Sequence, residues 1–127
     1  MLSIDPRSRE PIYRQIMNQI KEQVARGILK VDDKIPSVRE LSTQIVVNPN
    51  TVSKAYQELE REGIIVTMRG KGTFIAEQVP EEILVKDIES VKTKLKQVVL
   101  EGHYAGIEKE VMQDWVAWYY KQFGGKS

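Results

Sequence analysis

The sequence has no cysteine and a single histidine. The first absence excludes disulfides, thiol nucleophiles and thiolate metal sites, and fits a reducing compartment. The second excludes His-rich zinc centres and acid–base catalysis by a histidine pair. Apolar runs stop after a few residues, as in Ile64-Ile65-Val66, far short of the ~18–20 needed to cross a bilayer. The opening Met1-Leu2-Ser3-Ile4-Asp5-Pro6 has no basic stretch followed by an apolar one, so no secretory signal is expected. These absences predict a cytoplasmic protein without a membrane partner. A surplus of one charge is missing too: 19 Lys+Arg against 18 Asp+Glu give a net +1, which announces no nucleic-acid partner.

What is present is the composition of a soluble globular chain. Its 127 residues are 41% apolar and 29% charged, enough for one small domain or for one domain with an appendage. Secondary-structure signals divide it near Pro80, into residues 1–77 and 78–127.

The first part reads as helices followed by a hairpin. Pro11 suits a helix start, and Ile12, Ile16, Ile20 and Val24 recur at four-residue steps before Gly27. Ser37 with Glu40 three residues on forms a capping box, opening a short helix whose apolar stripe is Val38, Leu41 and Ile45. Asn48 as N-cap and Pro49 at the first helical position open a third helix reaching Glu62. Its apolar stripe is Val52, Ala55, Tyr56 and Leu59; Asn50, Thr51, Ser53, Lys54, Gln57 and Arg61 lie on the opposite face. Two β-prone runs, Ile64–Met68 and Thr73–Ile75, flank Arg69-Gly70-Lys71-Gly72 as in a hairpin. This order predicts a mainly α fold with a small β hairpin, a winged helix-turn-helix. Such a frame holds its third helix clear of the core, free to enter a groove about 12 Å wide.

The second part predicts two more helices. Leu84, Ile88, Val91, Leu95 and Val98 step by four and three, a seam of about two heptads. After a turn expected at Gly102–Gly106, Ile107, Val111, Trp115 and Trp118 mark an amphipathic helix, with Tyr119, Tyr120 and Phe123 close behind. Two helices cannot bury so many rings between themselves, so a partner surface is required. A second subunit ranks first, because Trp and Tyr are enriched at interfaces. A ligand cavity ranks last for so short a segment.

The phrases Ile35-Pro36-Ser37-Val38-Arg39-Glu40-Leu41, Asn48-Pro49-Asn50-Thr51-Val52-Ser53-Lys54-Ala55-Tyr56, Leu59-Glu60-Arg61-Glu62-Gly63 and Arg69-Gly70-Lys71-Gly72-Thr73-Phe74 resemble the GntR family of bacterial transcription regulators. The resemblance covers roughly residues 10–76, and the Asn-Pro-Asn-Thr-Val phrase with the short tail is most similar to the YtrA subfamily. It implies a winged helix followed by a two-helix dimerisation tail. The implied function is a sequence-specific regulator, a dimeric repressor on a pseudo-palindromic operator, with a neighbouring transporter operon as target. It assigns DNA contact to Arg39, Pro49, Asn50, Thr51, Ser53 and Lys54, and to Arg69, Gly70 and Lys71 at the wing tip. The seam and ring residues expected to carry that dimerisation are Leu84, Ile88, Val91, Leu95, Val98, Trp115, Trp118, Tyr119 and Phe123. No cofactor, metal or enzymatic activity is implied; an effector is unspecified.

Two departures matter. Much of the family has arginine where this chain has Pro49 and Ser53, so the bidentate arginine–guanine contact is missing there and base reading falls on Asn50, Thr51 and Lys54. The inter-helix turn has Val46 where glycine is usual, and a β-branched residue predicts a turn that avoids the left-handed region.

Blander readings compete at several positions. Arg39 could simply pair with Glu40, Tyr56 belongs to the core stripe, and His103 suits a solvated turn. Gly70-Lys71-Gly72-Thr73 fails the phosphate-loop pattern and leads into a strand, not a helix. A winged helix serving only as a protein-interaction module, without operator specificity, is the alternative function. Local charge favours DNA: Asn48–Lys54 and Ile64–Ala76 contain no acid, and the second segment carries Arg69 and Lys71. The near-neutral total hides this.

Overall fold

The computed structural model describes residues 2–77 and 85–124. The chain forms two compact units, Met1–Gln78 and Val79–Ser127. In the first, α1 (Ile12–Ala25), β1 (Lys34–Ile35), α2 (Val38–Ile45), α3 (Pro49–Arg61), β2 (Ile65–Met68) and β3 (Gly72–Ile75) follow one another. The second holds α4 (Val85–Tyr104) and α5 (Lys109–Gln122).

The core of the first unit is where the three apolar stripes meet. Ile16 and Ile20 of α1, Leu41 of α2, and Val52, Ala55, Tyr56 and Leu59 of α3 are buried together with Ile35, Ile65 and Ile75. Burying a side chain of this size is worth roughly 1.5–3 kcal/mol, which holds short helices that would not persist alone. The capping box at the start of α2 is complete: Ser37 N–H donates to Glu40 Oε1 at 3.0 Å and Glu40 N–H to Ser37 Oγ at 3.1 Å.

The sheet differs from the expected hairpin by one strand. Its order is β1-β3-β2, all antiparallel, with Lys34 opposite Phe74 and Ile65 opposite Ile75. Two residues give no alternation to read, so β1 is invisible to periodicity. Ile35 is buried, and Asp32 N–H and Asp33 O extend the pairing to Ile75 at 2.9 Å each.

The turn after α2 overturns an expectation. Val46 adopts φ 53°, ψ 55°, squarely left-handed, despite its branched Cβ. In this conformation the N–H groups of both Val46 and Val47 reach the Ser42 carbonyl, the latter at 3.1 Å. Helix closure and the packing of Val47 against the core therefore outweigh the local strain, roughly 1–3 kcal/mol.

The second unit also corrects the sequence reading. Gly102 is not part of the turn: it is buried inside α4, at a point where an added Cβ would collide with Cε of Met112. The end of the Met112 side chain of α5 lies over it. The helix ends instead through Gly106, at φ 75°, with Ile107 N–H returning to the Gly102 carbonyl at 2.9 Å. No helix among the described residues is long and apolar enough to cross a membrane.

Candidate nucleic-acid interface

The start of α3 is built to be presented. Asn48 Oδ1 accepts from Asn50 N–H at 2.8 Å, and Pro49 follows at the first helical position. Pro49, Asn50, Lys54 and Gln57 are exposed, Thr51 and Ser53 half-buried. Behind them Tyr56 anchors the helix: its hydroxyl donates to the Pro36 carbonyl at 2.6 Å, tying α3 to the segment that leads into α2. Burial pushes this phenol well above its ordinary range, and the Glu40 carboxylate adds to the shift. Tyr56 is a core residue, not a ligand.

Arg39 is exposed at the start of α2. Glu40 does not claim it. The Glu40 carboxylate is turned to Ser37, whose backbone N–H and side chain hold it below the usual glutamate range, with Lys34 adding a smaller pull. The salt bridges among the described residues are Lys21–Glu62 and Arg61–Glu58, so the Arg39 guanidinium stays open to an outside anion.

The wing tip has the same character. Lys71 N–H closes on the Met68 carbonyl at 2.9 Å, with Gly70 at φ 78° in the third position of the turn, which favours glycine. Arg69, Gly70 and Lys71 are exposed. An open cleft joins them to the start of α2, with Lys34, Ser37 and Glu40 on one wall and Thr67, Arg69 and Lys71 on the other. Thr67 Oγ1 donates to Glu60 Oε1 at 3.1 Å, tying β2 to α3.

Two side chains of this face make contacts within the protein. Lys54 is not a free lysine: its Nζ stands 4.1 Å from the centre of the Tyr13 ring in α1, a cation–π contact. Gln57, seen only as part of a polar face, donates through Nε2 to Ser53 Oγ at 3.4 Å. Its place one turn after Ser53 was the available signal.

The residues assigned to dimerisation fall in the other unit. Leu84 lies outside the described residues. Ile88, Val91, Leu95 and Val98 on α4, and Trp115, Trp118, Tyr119 and Phe123 on α5, are all exposed, as are Val99, Leu100, Tyr104, Val116 and Tyr120. Trp118 meets Tyr119 edge-to-face at 5.1 Å, and Tyr119 stacks on Phe123 at 6.3 Å. His103, expected in a turn, lies in the last turn of α4 and lines an open apolar groove of about 510 Å³ with Leu95, Val99, Ile107, Met112 and Val116.

Three helices, a three-stranded sheet and an exposed third helix beside a basic hairpin tip define a winged helix-turn-helix DNA-binding protein. Residues 12–75 match the family described as bacterial regulatory proteins, gntR family. The chain belongs to the GntR family of transcription regulators. It is 53% identical to the HTH-type transcriptional repressor YtrA of Bacillus subtilis over 116 residues, 91% of this chain and 89% of that one. The structure of a transcriptional antiterminator from Listeria monocytogenes EGD-e superposes with TM-score 0.85 at 45% identity, covering 100% of this chain and 95% of that one. The DNA-binding domain of AraR in complex with operator ORX1 gives 0.52 at 34% identity, covering 59% and 93%.

Proposed function

We propose that this protein is a dimeric, cytoplasmic repressor that binds a pseudo-palindromic operator and catalyses nothing. Each subunit lays the start of α3 in a major groove, where Asn50 and Thr51 read base edges with Ser53 and Gln57 beside them. Pro49 approaches the backbone, and Arg69, Gly70 and Lys71 reach toward the adjacent minor groove. Arg39 and Lys54 contact phosphate, so affinity falls steeply with salt. Residues 78–127 pair with their counterparts in a second copy and set the half-site spacing. The subfamily resemblance supports a transporter operon as the target.

The single observation carrying this reading is the exposed, acid-free start of α3 beside an exposed basic wing tip. The AraR operator complex supports the same use of the fold. Selection of bound duplexes from a random pool tests it, with recovery of a two-fold-related motif expected. Equal affinity for selected and random DNA at about 150 mM salt would instead support an interaction module.

A further inference from the structure

The segment ahead of α1 forms a basic surface that neither the α3 face nor the wing accounts for. Ser3 N–H donates to Gln19 Oε1 at 2.8 Å, and Gln19 Nε2 returns a bond to the Ser3 carbonyl at 2.6 Å. Asp5 N–H donates to Gln15 Oε1, and Gln15 Nε2 to the carbonyls of Asp5 and Glu10, each at 2.9 Å. The chain thus lies back along α1, and its reversal at Pro6–Glu10 stands beyond the first turn of that helix. Bonds from Arg7 N–H to Asp5 Oδ1 at 2.9 Å and from Glu10 N–H to Ser8 Oγ at 3.1 Å fix the reversal.

Two contacts show which way this reversal points. Tyr13 meets Lys54, and Lys21 pairs with Glu62 at 2.7 Å. The two contacts are separated by equal numbers of residues along α1 and from Lys54 to Glu62, the residue capping α3, so α1 and α3 run side by side in the same direction. Their starts share one end of the unit, the end that α3 turns to DNA.

Arg7 and Arg9 on the reversal, and Arg14 in the first turn of α1, are exposed. None is in a salt bridge among the described residues. The nearby acids are engaged: Asp5 with Arg7 N–H, Glu10 with Asn18 at 2.6 Å, and Glu58 with Arg61. Arg14 also lies 6.0 Å from the Tyr13 ring centre.

We propose that Arg7, Arg9 and Arg14 clamp the phosphate backbone of the DNA flanking the base pairs read by α3. The clamp rests on α3 being the reading helix. Phosphate contacts carry no sequence information, so a short duplex of mixed sequence is a sufficient probe for it.

The test is binding of that duplex by the full-length protein between about 50 and 200 mM salt. Replacing Arg7→Gln and Arg9→Gln together should lower the slope of log affinity against log salt by about one per arginine per subunit. At about 0.15 M this is roughly a fivefold loss for each contact. Arg7→Lys with Arg9→Lys should keep the slope, since the charge is kept, and Arg26→Gln at the far end of α1 should leave it unchanged. A double glutamine variant with the parental slope overturns the clamp, and so does an equal loss in Arg26→Gln. Asn50→Ala separates the two readings: if it keeps full preference for the selected operator, the role given to α3 fails, whatever the arginines do.

Discussion

The Tyr56 hydroxyl and the Pro36 carbonyl are 2.6 Å apart, and this bond sets α3 against the lead into α2. It joins the helix carrying Asn50 to the segment carrying Arg39. Tyr56→Phe keeps the ring and leaves a part-buried carbonyl without its donor, a loss of about 1–2 kcal/mol. Urea denaturation should show a lower midpoint with an unchanged slope. Parental stability would mean the bond contributes nothing net.

Val46 gives a prediction of opposite sign. It holds a left-handed backbone and is 89% exposed, so its side chain contributes strain without burial. Val46→Gly should raise stability by about 1 kcal/mol, relief of strain outweighing the added freedom of the unfolded chain. Thermal melts would show it. A lower melting temperature would mean that the isopropyl group packs where the structure has it in solvent.

The contrast between these two residues explains what could be read beforehand. Local chemistry with a fixed offset was legible: Ser37 with Glu40, Asn48 with Pro49, and the apolar steps of α3 all became the elements they indicated. Features decided by distant contacts were not. Strand β1 exists because β3 pairs with Lys34–Ile35, and Gly102 lies inside α4 because the helix runs on to Tyr104 and closes through Gly106. The Lys54–Tyr13 contact is not legible in the sequence, because nothing in α3 itself reveals Tyr13. The DNA-facing residues were legible as a polar, acid-free stretch, whereas the reversal at Pro6–Glu10 depends on Gln15 and Gln19 reaching back to it.

Acid should weaken the start of α2. The Glu40 carboxyl is held below the ordinary glutamate range by its bonds with Ser37. A depressed folded value contributes stability above the unfolded value of about 4.3 and loses it as pH falls through the folded value. Glu40→Gln keeps an acceptor for Ser37 N–H without the titration. The stability gap between parent and variant should therefore be largest near neutrality and shrink on acidification below about pH 5. A gap independent of pH would remove the charge from the cap's contribution.

Arg39 separates binding from folding. Its guanidinium is in no salt bridge among the described residues, so Arg39→Ala should change stability by less than about 0.5 kcal/mol. DNA affinity should nevertheless fall, with the salt slope reduced by about one per subunit. Calorimetric melts and a salt titration of binding read the two effects independently, and a variant with parental affinity would take Arg39 out of the interface.

The tail is tested by a charge on its seam. Leu95 is 50% exposed in the single chain, so Leu95→Glu costs the isolated subunit little. In a dimer the same carboxylate would face an apolar partner surface without a counter-charge, and burying it there costs several kcal/mol. Sedimentation should find the parent dimeric and Leu95→Glu monomeric at equal concentration, with a far-ultraviolet spectrum that still reports helices. Lys96→Glu, next along α4 and also exposed, carries a larger charge change off the predicted seam and should remain dimeric. A dimeric Leu95→Glu would move the interface off the α4 seam, and dissociation by both variants would mark a general charge effect. If only the seam residue splits the dimer, operator affinity should fall with it, because a lone winged helix engages one half-site and loses the linkage to the other.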